Sequence, residues 1–442
     1  MRRPLILAAV LALIGAGSAQ ARVDAYSDPL APQEWWLSHI GADRTPPPGP
    51  GVPIAIVDSG VDPTQPDFAG RPNTTFLNDQ TTLGRDEYHG TAVASVAAAP
   101  DNGVGLDGVY PEAALEIWDA SPTAFGITDF AAIAGIQAVS AHCPAVINLS
   151  FGSTNPDPGL RDAILDAVRQ GCLVVAAAGN SGDEGSPPTY PAAWPHVVTV
   201  AATDQNDVAA DFSTASPSTD VAAPGTAFVA DVPTTRNSNG YQADFSGTSF
   251  SAPLVSAAAA WIWTVRPTLT VSQLSQILRS TARDIGPPGF DNASGWGIID
   301  IPAALAAPTP PNDPFEPNDD IAQVKPDSLF EEGQPPLSTP TKPSIRLAAT
   351  LDTGDDPRDV YRLWVPAKRY VHVTVASGGN AAARLWGPQT SSTREGVKSQ
   401  RRDLRGPKMY GGKRGTAAYV EVLLTGRSPA ASYTLAVTVS KK

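Results

Sequence analysis

The chain has 442 residues, 42% of them apolar, and a formal net charge of −13; that length and apolar content build two or three domains with a substantial core, not a disordered or fibrous chain. The charge is uneven, because residues 312–442 carry 19 Lys and Arg against 14 Asp and Glu while the rest carries 12 against 30. An acidic body with a mildly basic tail argues for separate units and disfavours nucleic acid as the partner of the body.

Taken in order, the chain opens with the parts of a secretory signal peptide over residues 1–21: Arg2 and Arg3, the apolar run Pro4–Gly17, then Ala19-Gln20-Ala21 as a small-residue cleavage site. About 14 apolar residues fall short of the roughly 20 needed to span a membrane. No later stretch is a spanning candidate, so a released protein is expected, extracellular or in the cell envelope. Residues 22–52 are rich in proline and lead to the first strand. Pro53–Asp58, Leu115–Asp119, Ala145–Ser150, Cys172–Ala178 and His196–Ala201 read as short apolar strands. Phe130–His142 and Gly159–Gln170 read as amphipathic helices between them, with Ile133, Ile136 and Val139 on one face. This alternation predicts an α/β domain over residues 22–307, a parallel sheet with helices on both faces. Cys143 and Cys172 each precede a predicted parallel strand; export permits a disulfide between them, with two buried thiols as the alternative. Leu254–Thr264 is an Ala-rich run that reads as a buried helix with Pro253 in its first turn. Val271–Asp284 reads as a late surface helix. Residues 308–315 form a Pro-rich linker. Beyond it Ile345–Leu351, Val360–Val365, Tyr370–Ala376, Ala417–Leu424 and Tyr433–Val439 alternate polar and apolar residues, as strands of a small all-β sandwich over residues 316–442.

Three stretches carry chemistry. Ile54-Ala55-Ile56-Val57-Asp58-Ser59-Gly60 is an apolar strand ending on an acid. His89-Gly90-Thr91-Ala92-Val93-Ala94-Ser95 puts a histidine at the head of a small-residue helix. Gly247-Thr248-Ser249-Phe250-Ser251-Ala252-Pro253 sets a serine at the positive end of a helix dipole. The order Asp, His, Ser differs from that of the two other common Ser-His-Asp arrangements. On these motifs residues 28 to 307 resemble the subtilisin-like serine proteases (subtilases). The resemblance implies that Ser249 is the nucleophile, that His89 takes and returns its proton, and that Asp58 fixes the imidazole. By the family pattern Asn180, at the end of the strand Val174–Ala178, donates its side-chain N–H to the oxyanion alongside the Ser249 backbone N–H. Substrate is expected to add as a strand along Ser150-Phe151-Gly152 and Phe125-Gly126-Ile127. Ala177-Ala178-Gly179 would line the main specificity pocket with Thr189 near its base; no acid is placed there, so an uncharged, mainly apolar preference is expected.

Two departures from the family pattern stand out. Its second histidine after His-Gly-Thr is Ala92 here, and its methionine after the nucleophile is Phe250, which implies better tolerance of peroxide. Only a few residues separate Ala21 from Asp28, so no folding propeptide fits there and activity is expected to need only signal removal. Pro100-Asp101-Asn102-Gly103-Val104-Gly105-Leu106 resembles the family's structural calcium loop. That likeness makes the Asn102 side chain, the carbonyls of Pro100, Val104 and Leu106, the Asp67 carboxylate and possible sixth ligand Asp28 the expected calcium donors; a plain Asn-Gly turn is the competing reading. In the tail, Phe315-Glu316-Pro317-Asn318-Asp319-Asp320, Asp359-Val360-Tyr361 and Tyr433-Thr434-Leu435 resemble the bacterial pre-peptidase C-terminal domain. Asp355, Asp356 and Asp359 with Glu316 offer oxygens for a second site, though clustered Asp is common in turns. Lys398, Arg401, Arg402, Arg405, Lys408, Lys413 and Arg414 would suit an anionic surface polymer, or else form a solvated loop. The expected whole is a secreted, monomeric serine endopeptidase acting on proteins or peptides, without nucleic acid or membrane anchor. A catalytically idle relative used for binding, or a narrow processing enzyme for one partner, are the alternatives.

Overall fold

A computed structural model describes residues 26–80, 88–121, 126–231, 240–354, 356–393, 404–406, 408–425 and 430–441. The signal-peptide residues, Phe125, Asp355 and the basic residues Lys398, Arg401 and Arg402 lie outside them. In the body the elements run α1 (Trp35–His39), β1 (Ile54–Asp58), β2 (Thr74–Phe76), α2 (His89–Ala98), β3 (Leu115–Asp119), α3 (Asp129–Ser140), β4 (Val146–Leu149), α4 (Pro158–Gln170), β5 (Leu173–Ala177), β6 (Val197–Thr203) and β7 (Val221–Pro224). The antiparallel pair β8 (Phe228–Asp231) and β9 (Tyr241–Phe245) follows, then α5 (Thr248–Val265), α6 (Val271–Ser280) and α7 (Ile301–Ala306). Among the described residues the central sheet has seven strands in the order β2-β3-β1-β4-β5-β6-β7. Every pairing in it is parallel.

The sheet is buried on both faces, as its unbroken Val, Ile and Ala runs require. Along β1, Ile54 and Ile56 join the cluster containing α2 and α5, while Ala55 and Val57 join the cluster on α3 and α4. The expected α/β class is therefore what folds, and the five expected body strands and the helices between them appear within two residues of their predicted limits. β2, β7 and the pair β8–β9 carried too weak a pattern to be read: β7 is only Val-Ala-Ala-Pro, and Phe76 of β2 is exposed. Helix ends follow local chemistry. Thr128 and Asp157 cap α3 and α4 by accepting from Ala131 and Leu160 N–H groups, and Gly171 ends α4 at φ 96°. Thr270 and Gln273 form a reciprocal capping box on α6. That helix stops at Ser280, short of the expected Asp284, because Arg283 pairs instead with Ile298.

One local expectation is corrected. Pro253 is not in the first turn of its helix, because α5 begins at Thr248 and the proline lies inside it. A proline there withdraws the donor that would meet the carbonyl of Ser249. The Ser150 hydroxyl supplies the missing donor, 2.9 Å from the Ser249 oxygen. From Phe250 to Trp263 every residue of α5 is buried, so apolar burial rather than exposed-helix propensity holds it. None of the described helices is long and apolar enough to cross a membrane.

The tail holds α8 (Ile321–Val324) and strands β10 (Ile345–Asp352), β11 (Arg358–Val365), β12 (Arg369–Ala376), β13 (Ala381–Trp386), β14 (Leu404–Gly406), β15 (Lys408–Tyr410), β16 (Thr416–Leu424) and β17 (Ala430–Lys441). They form two antiparallel sheets, β10-β17-β12-β15 and β11-β16-β13-β14, sharing one core that includes Leu351, Leu363, Val371, Leu385 and Val420. β13 to β15 escaped sequence reading. The Pro-rich segment lies along α6 rather than free: Gln273 donates to the Pro310 carbonyl at 2.8 Å, Thr270 to Asn312 at 2.7 Å and Ser272 to the Asp313 carbonyl at 3.2 Å. Arg169 of α4 covers the Phe330 ring at 4.7 Å, and Arg279 of α6 reaches Asp352 at 3.4 Å.

Cys143 and Cys172 are bridged, with Cα atoms 5.2 Å apart, where the adjacent strands β4 and β5 begin. The bridge closes a 29-residue separation, for which loop-closure entropy gives roughly 3–4 kcal/mol. A Cys143→Ala/Cys172→Ala variant is expected to lose stability of that order in a guanidinium melt while keeping its far-ultraviolet circular dichroism.

Candidate active site

The site is assembled at the carboxyl edge of the parallel sheet, where β1, β4 and β5 end side by side and α2 and α5 begin. β1 delivers Asp58, whose side chain is fully buried. Its Oδ1 accepts from the Ser59 backbone N–H at 2.7 Å and meets His89 Nδ1 at 2.7 Å. A carboxylate only accepts, so the proton of a neutral imidazole sits on Nδ1 and leaves Nε2 as an acceptor. α2 starts directly against the exit of β1. A side chain at position 90 would place its Cβ 2.3 Å from the Gly60 carbonyl oxygen, which restricts that position to glycine. The Ser59 hydroxyl accepts from the Gly90 N–H at 3.0 Å and Thr91 Oγ1 accepts from the Asp62 N–H at 3.0 Å, so the β1 exit and the first turn of α2 cap each other.

α5 delivers Ser249 in its first turn. Its hydroxyl donates to the Ser150 carbonyl at 3.0 Å and not to the imidazole. Ser150 answers through its own hydroxyl to the Ser249 carbonyl, and accepts from Asn148 Nδ2 at 2.9 Å. Asn148 Oδ1 in turn accepts from Ser256 one helical stretch further on, at 3.0 Å. This buried chain fixes α5 to the end of β4. Ser251 fixes the same turn to β7 through the Pro224 carbonyl at 3.0 Å. Phe250 is buried and stacks on Phe228 at 5.2 Å, which stacks on Trp36 at 4.2 Å. Ala92 is buried in the same cluster.

β5 delivers Asn180. Thr248 donates to Asn180 Oδ1 twice, from its N–H and its hydroxyl, both at 2.9 Å, and its Oγ1 accepts from the Gly179 N–H at 3.1 Å. With its oxygen held there, the Asn180 NH₂ faces away. A Cβ placed on Gly247 would sit 3.4 Å from Asn180 Nδ2 and 3.8 Å from the Ser249 nitrogen, so the two donors flank one small space. Gly152 and Gly179 close on Thr189 from two sides: a Cβ on either would come within 2.6 Å of its side chain. Gly152, at the end of Ser150–Gly152, and Gly179, at the end of Ala177–Gly179, thus both stand against Thr189. Beside them a cleft of about 510 Å³ is lined by Asp58, His89, Ile127, Phe151, Gly152 and Tyr190. Sequence reading missed Ser59, Thr248 and Asn148. The polar Asn148 inside the apolar run Val146–Leu149 was the one visible signal.

The calcium-loop residues are only partly gathered. Asp67 is buried against the loop, since a Cβ on Gly105 would meet its Oδ1 at 2.7 Å. Asn102 is exposed and its Oδ1 accepts from the Val104 N–H at 3.0 Å. Asp28 accepts from the N–H groups of Asn102 at 3.1 Å and Gly103 at 2.6 Å, and a carboxylate oxygen from each of Asp28, Asp101 and Asp107 lies within 4.8 Å of the others. Burial raises the Asp28 pKa, the two N–H groups oppose it and Asp101 adds to it, for a net rise.

Burial disfavours the charged His89 imidazole, but the Asp58 carboxylate and its hydrogen bond outweigh burial and hold its pKa above the ordinary 6.5. The expected NMR titration of His89 therefore has a midpoint above 6.5. Replacing Asp58 by Asn should bring the midpoint down; no change would mean that the carboxylate is not the cause.

A family model described as "Subtilase family" matches residues 49–297. Subtilisin amylosacchariticus of Bacillus subtilis subsp. amylosacchariticus is 35% identical over 262 residues, covering 58% of this chain and 66% of that protein, just under two thirds of its length. Subtilisin of Bacillus pumilus is 35% identical over 262 residues and covered to 91%, and subtilisin Savinase of Lederbergia lenta is 35% identical over 260 residues and covered to 91%; each match takes in 58% of this chain. Among solved structures, the S41 psychrophilic protease is 28% identical, with a TM-score of 0.52, over 60% of this chain and 97% of its own. The psychrophilic subtilisin-like protease Apa1 from Pseudoalteromonas sp. AS-11 is 21% identical, with a TM-score of 0.52, over 62% of this chain and 97% of its own, a likeness of fold alone.

Proposed function

The chain belongs to the subtilase family, and from that premise we propose that it is a secreted serine endopeptidase cleaving proteins or peptides through an acyl-enzyme. The observation carrying this reading is the meeting of the Asp58–His89 pair, the Ser249 turn and the Asn180 amide at one sheet edge. In the reaction Ser249 turns about Cα–Cβ from the Ser150 carbonyl towards His89 Nε2, which takes its proton as the hydroxyl attacks the substrate carbonyl. Resting hydroxyls often tighten onto their base only when substrate arrives. Asp58 stabilises the imidazolium so formed, and His89 passes the proton to the leaving amine. The oxyanion lies between Asn180 Nδ2 and the Ser249 N–H, Thr248 having already oriented the amide. Gly152, Gly179 and Thr189 shape a pocket for an uncharged side chain.

Residues 1–21 act as the signal peptide, and residues 316–442 as a module of the pre-peptidase C-terminal type. Its basic residues, with Lys408 already lying over Tyr370 at 4.2 Å, offer charge to an anionic polymer. Calcium belongs to the same reading. Asp67, the carbonyls of Pro100, Val104 and Leu106 and the Asn102 amide, once released from the Val104 N–H, would hold it, and it would supply structural cross-linking of the loop.

A fluorophosphonate probe should label the protein, and Ser249→Ala should abolish both labelling and peptide hydrolysis. Asn180→Ala should lower kcat by about 10²–10³ with little change in KM. Hydrolysis that survives Ser249→Ala sinks the proposal. Because the base must be neutral, kcat/KM should rise with pH through a midpoint above 6.5. Chelation should lower the melting temperature of the parent, and an Asp67→Asn variant should lose the loop's share of that response.

A further inference from the structure

Far from the cleft, the junction between body and tail gathers four carboxylates: Asp313 in the Pro-rich segment, Glu316 just after it, Asp356 in the turn before β11 and Asp359 on β11. One oxygen from each lies within 4.8 Å of the others. Atoms bound to a single calcium ion at about 2.3–2.6 Å are never more than about 5 Å apart, so the group has the span of one coordination shell. Asp313, Asp356 and Asp359 retain only 7%, 8% and 0% of their exposure. Oδ1 of each is buried and accepts no hydrogen bond, so three costly unpaired oxygens are gathered in one cluster.

Other oxygens of three of the four are held by neutral donors, which aim the carboxylates. Asp313 Oδ2 accepts from the Thr350 N–H at 2.7 Å, Tyr433 donates its hydroxyl to Asp359 Oδ2, and Asn318 Nδ2 donates to Glu316 Oε1 at 2.8 Å. Two basic groups border the cluster. His196 Nε2 bonds Asp319 at 2.9 Å and stands 3.7 Å from Glu316, and Arg279 pairs with Asp220 at 2.9 Å and Asp352 at 3.4 Å. Burial and mutual repulsion push Glu316 and Asp356 well above the ordinary carboxyl range, burial and Asp313 do the same to Asp359, and burial raises Asp313 to about 6. A cleft of about 370 Å³ lined by Arg279, Asp313, Glu316, Asp352 and Asp356 opens onto the cluster.

We propose that Asp313, Glu316, Asp356 and Asp359 bind one divalent cation of calcium type, which fastens the linker and the tail sandwich to the body. An all-oxygen set suits calcium over softer metals. Asp313 carries the tie to the body, because its carbonyl accepts from Ser272 of α6 at 3.2 Å while its carboxylate faces the tail.

The test uses the full chain carrying Ser249→Ala to prevent self-digestion. Bound calcium per chain is counted after equilibration with calcium or magnesium, and melting is followed in calcium and in chelator. Asp356→Asn and Asp359→Asn should each remove one equivalent of calcium, and Asp67→Asn should leave that equivalent in place. In calcium Asp356→Asn should melt below the parent; in chelator it should melt at or above it, since one uncompensated charge is gone. Chelation should also speed cleavage of residues 308–315 by an added protease, and Asp356→Asn should be cut fast even in calcium. An unchanged calcium count in both tail variants, or a rise in melting temperature equal in calcium and chelator, overturns the proposal. Loss of the tail equivalent alongside an ineffective Asp67→Asn would remove the loop site and leave this one standing.

Discussion

The structure turns on how the first turn of α5 is held to the end of β4. A proline inside the helix strips the Ser249 carbonyl of its usual donor, and Ser150 provides another at 2.9 Å. Because Ser150 also accepts the Ser249 hydroxyl at its carbonyl and is itself gripped by Asn148, which accepts in turn from Ser256, the turn has one seating. A helix packed only by alanines and small apolar groups could slide along the sheet, whereas a buried polar chain with every member paired permits a single register. The distance between Ser249 and the strand-borne residues is therefore set by hydrogen bonds, with apolar burial supplying the cohesion.

Two buried acidic environments show contrasting solutions. Asp58 has one N–H and one imidazole on its Oδ1. Its charge faces the imidazole, and that pairing raises the basicity of His89. At the junction the carboxylates are oriented by Thr350, Tyr433 and Asn318, none of which carries charge. Geometry there is prepared by neutral donors, with His196 at 3.7 Å from Glu316 beside it, and this arrangement is the ground on which a cation is proposed.

Legibility in the sequence followed the strength of the local pattern. The parallel strands were readable because burial on both faces demands apolar runs bounded by turns, and Asp58, His89 and Ser249 because each stands at an element's end among small residues. Ser59 and Thr248 were not singled out: both act by touching a partner remote in sequence, Ser59 the Gly90 N–H and Thr248 the Asn180 amide. β7 and β13 to β15 were too short or too plain for their periodicity to register. Asp313 looked like part of a linker, and nothing nearby in sequence announced that it would meet Asp356 and Asp359.

What the sequence by itself determined was the family and the α/β body, since hydrophobic periodicity and short motifs are local properties; for the sheet edge it offered candidates. Only the tertiary structure decided where the Ser249 hydroxyl rests, which way the Asn180 amide faces, and that four acids from the linker and the tail share one buried space. Those outcomes depend on packing between segments far apart in the chain, and the energy of a buried polar group is set by the neighbours that folding brings to it.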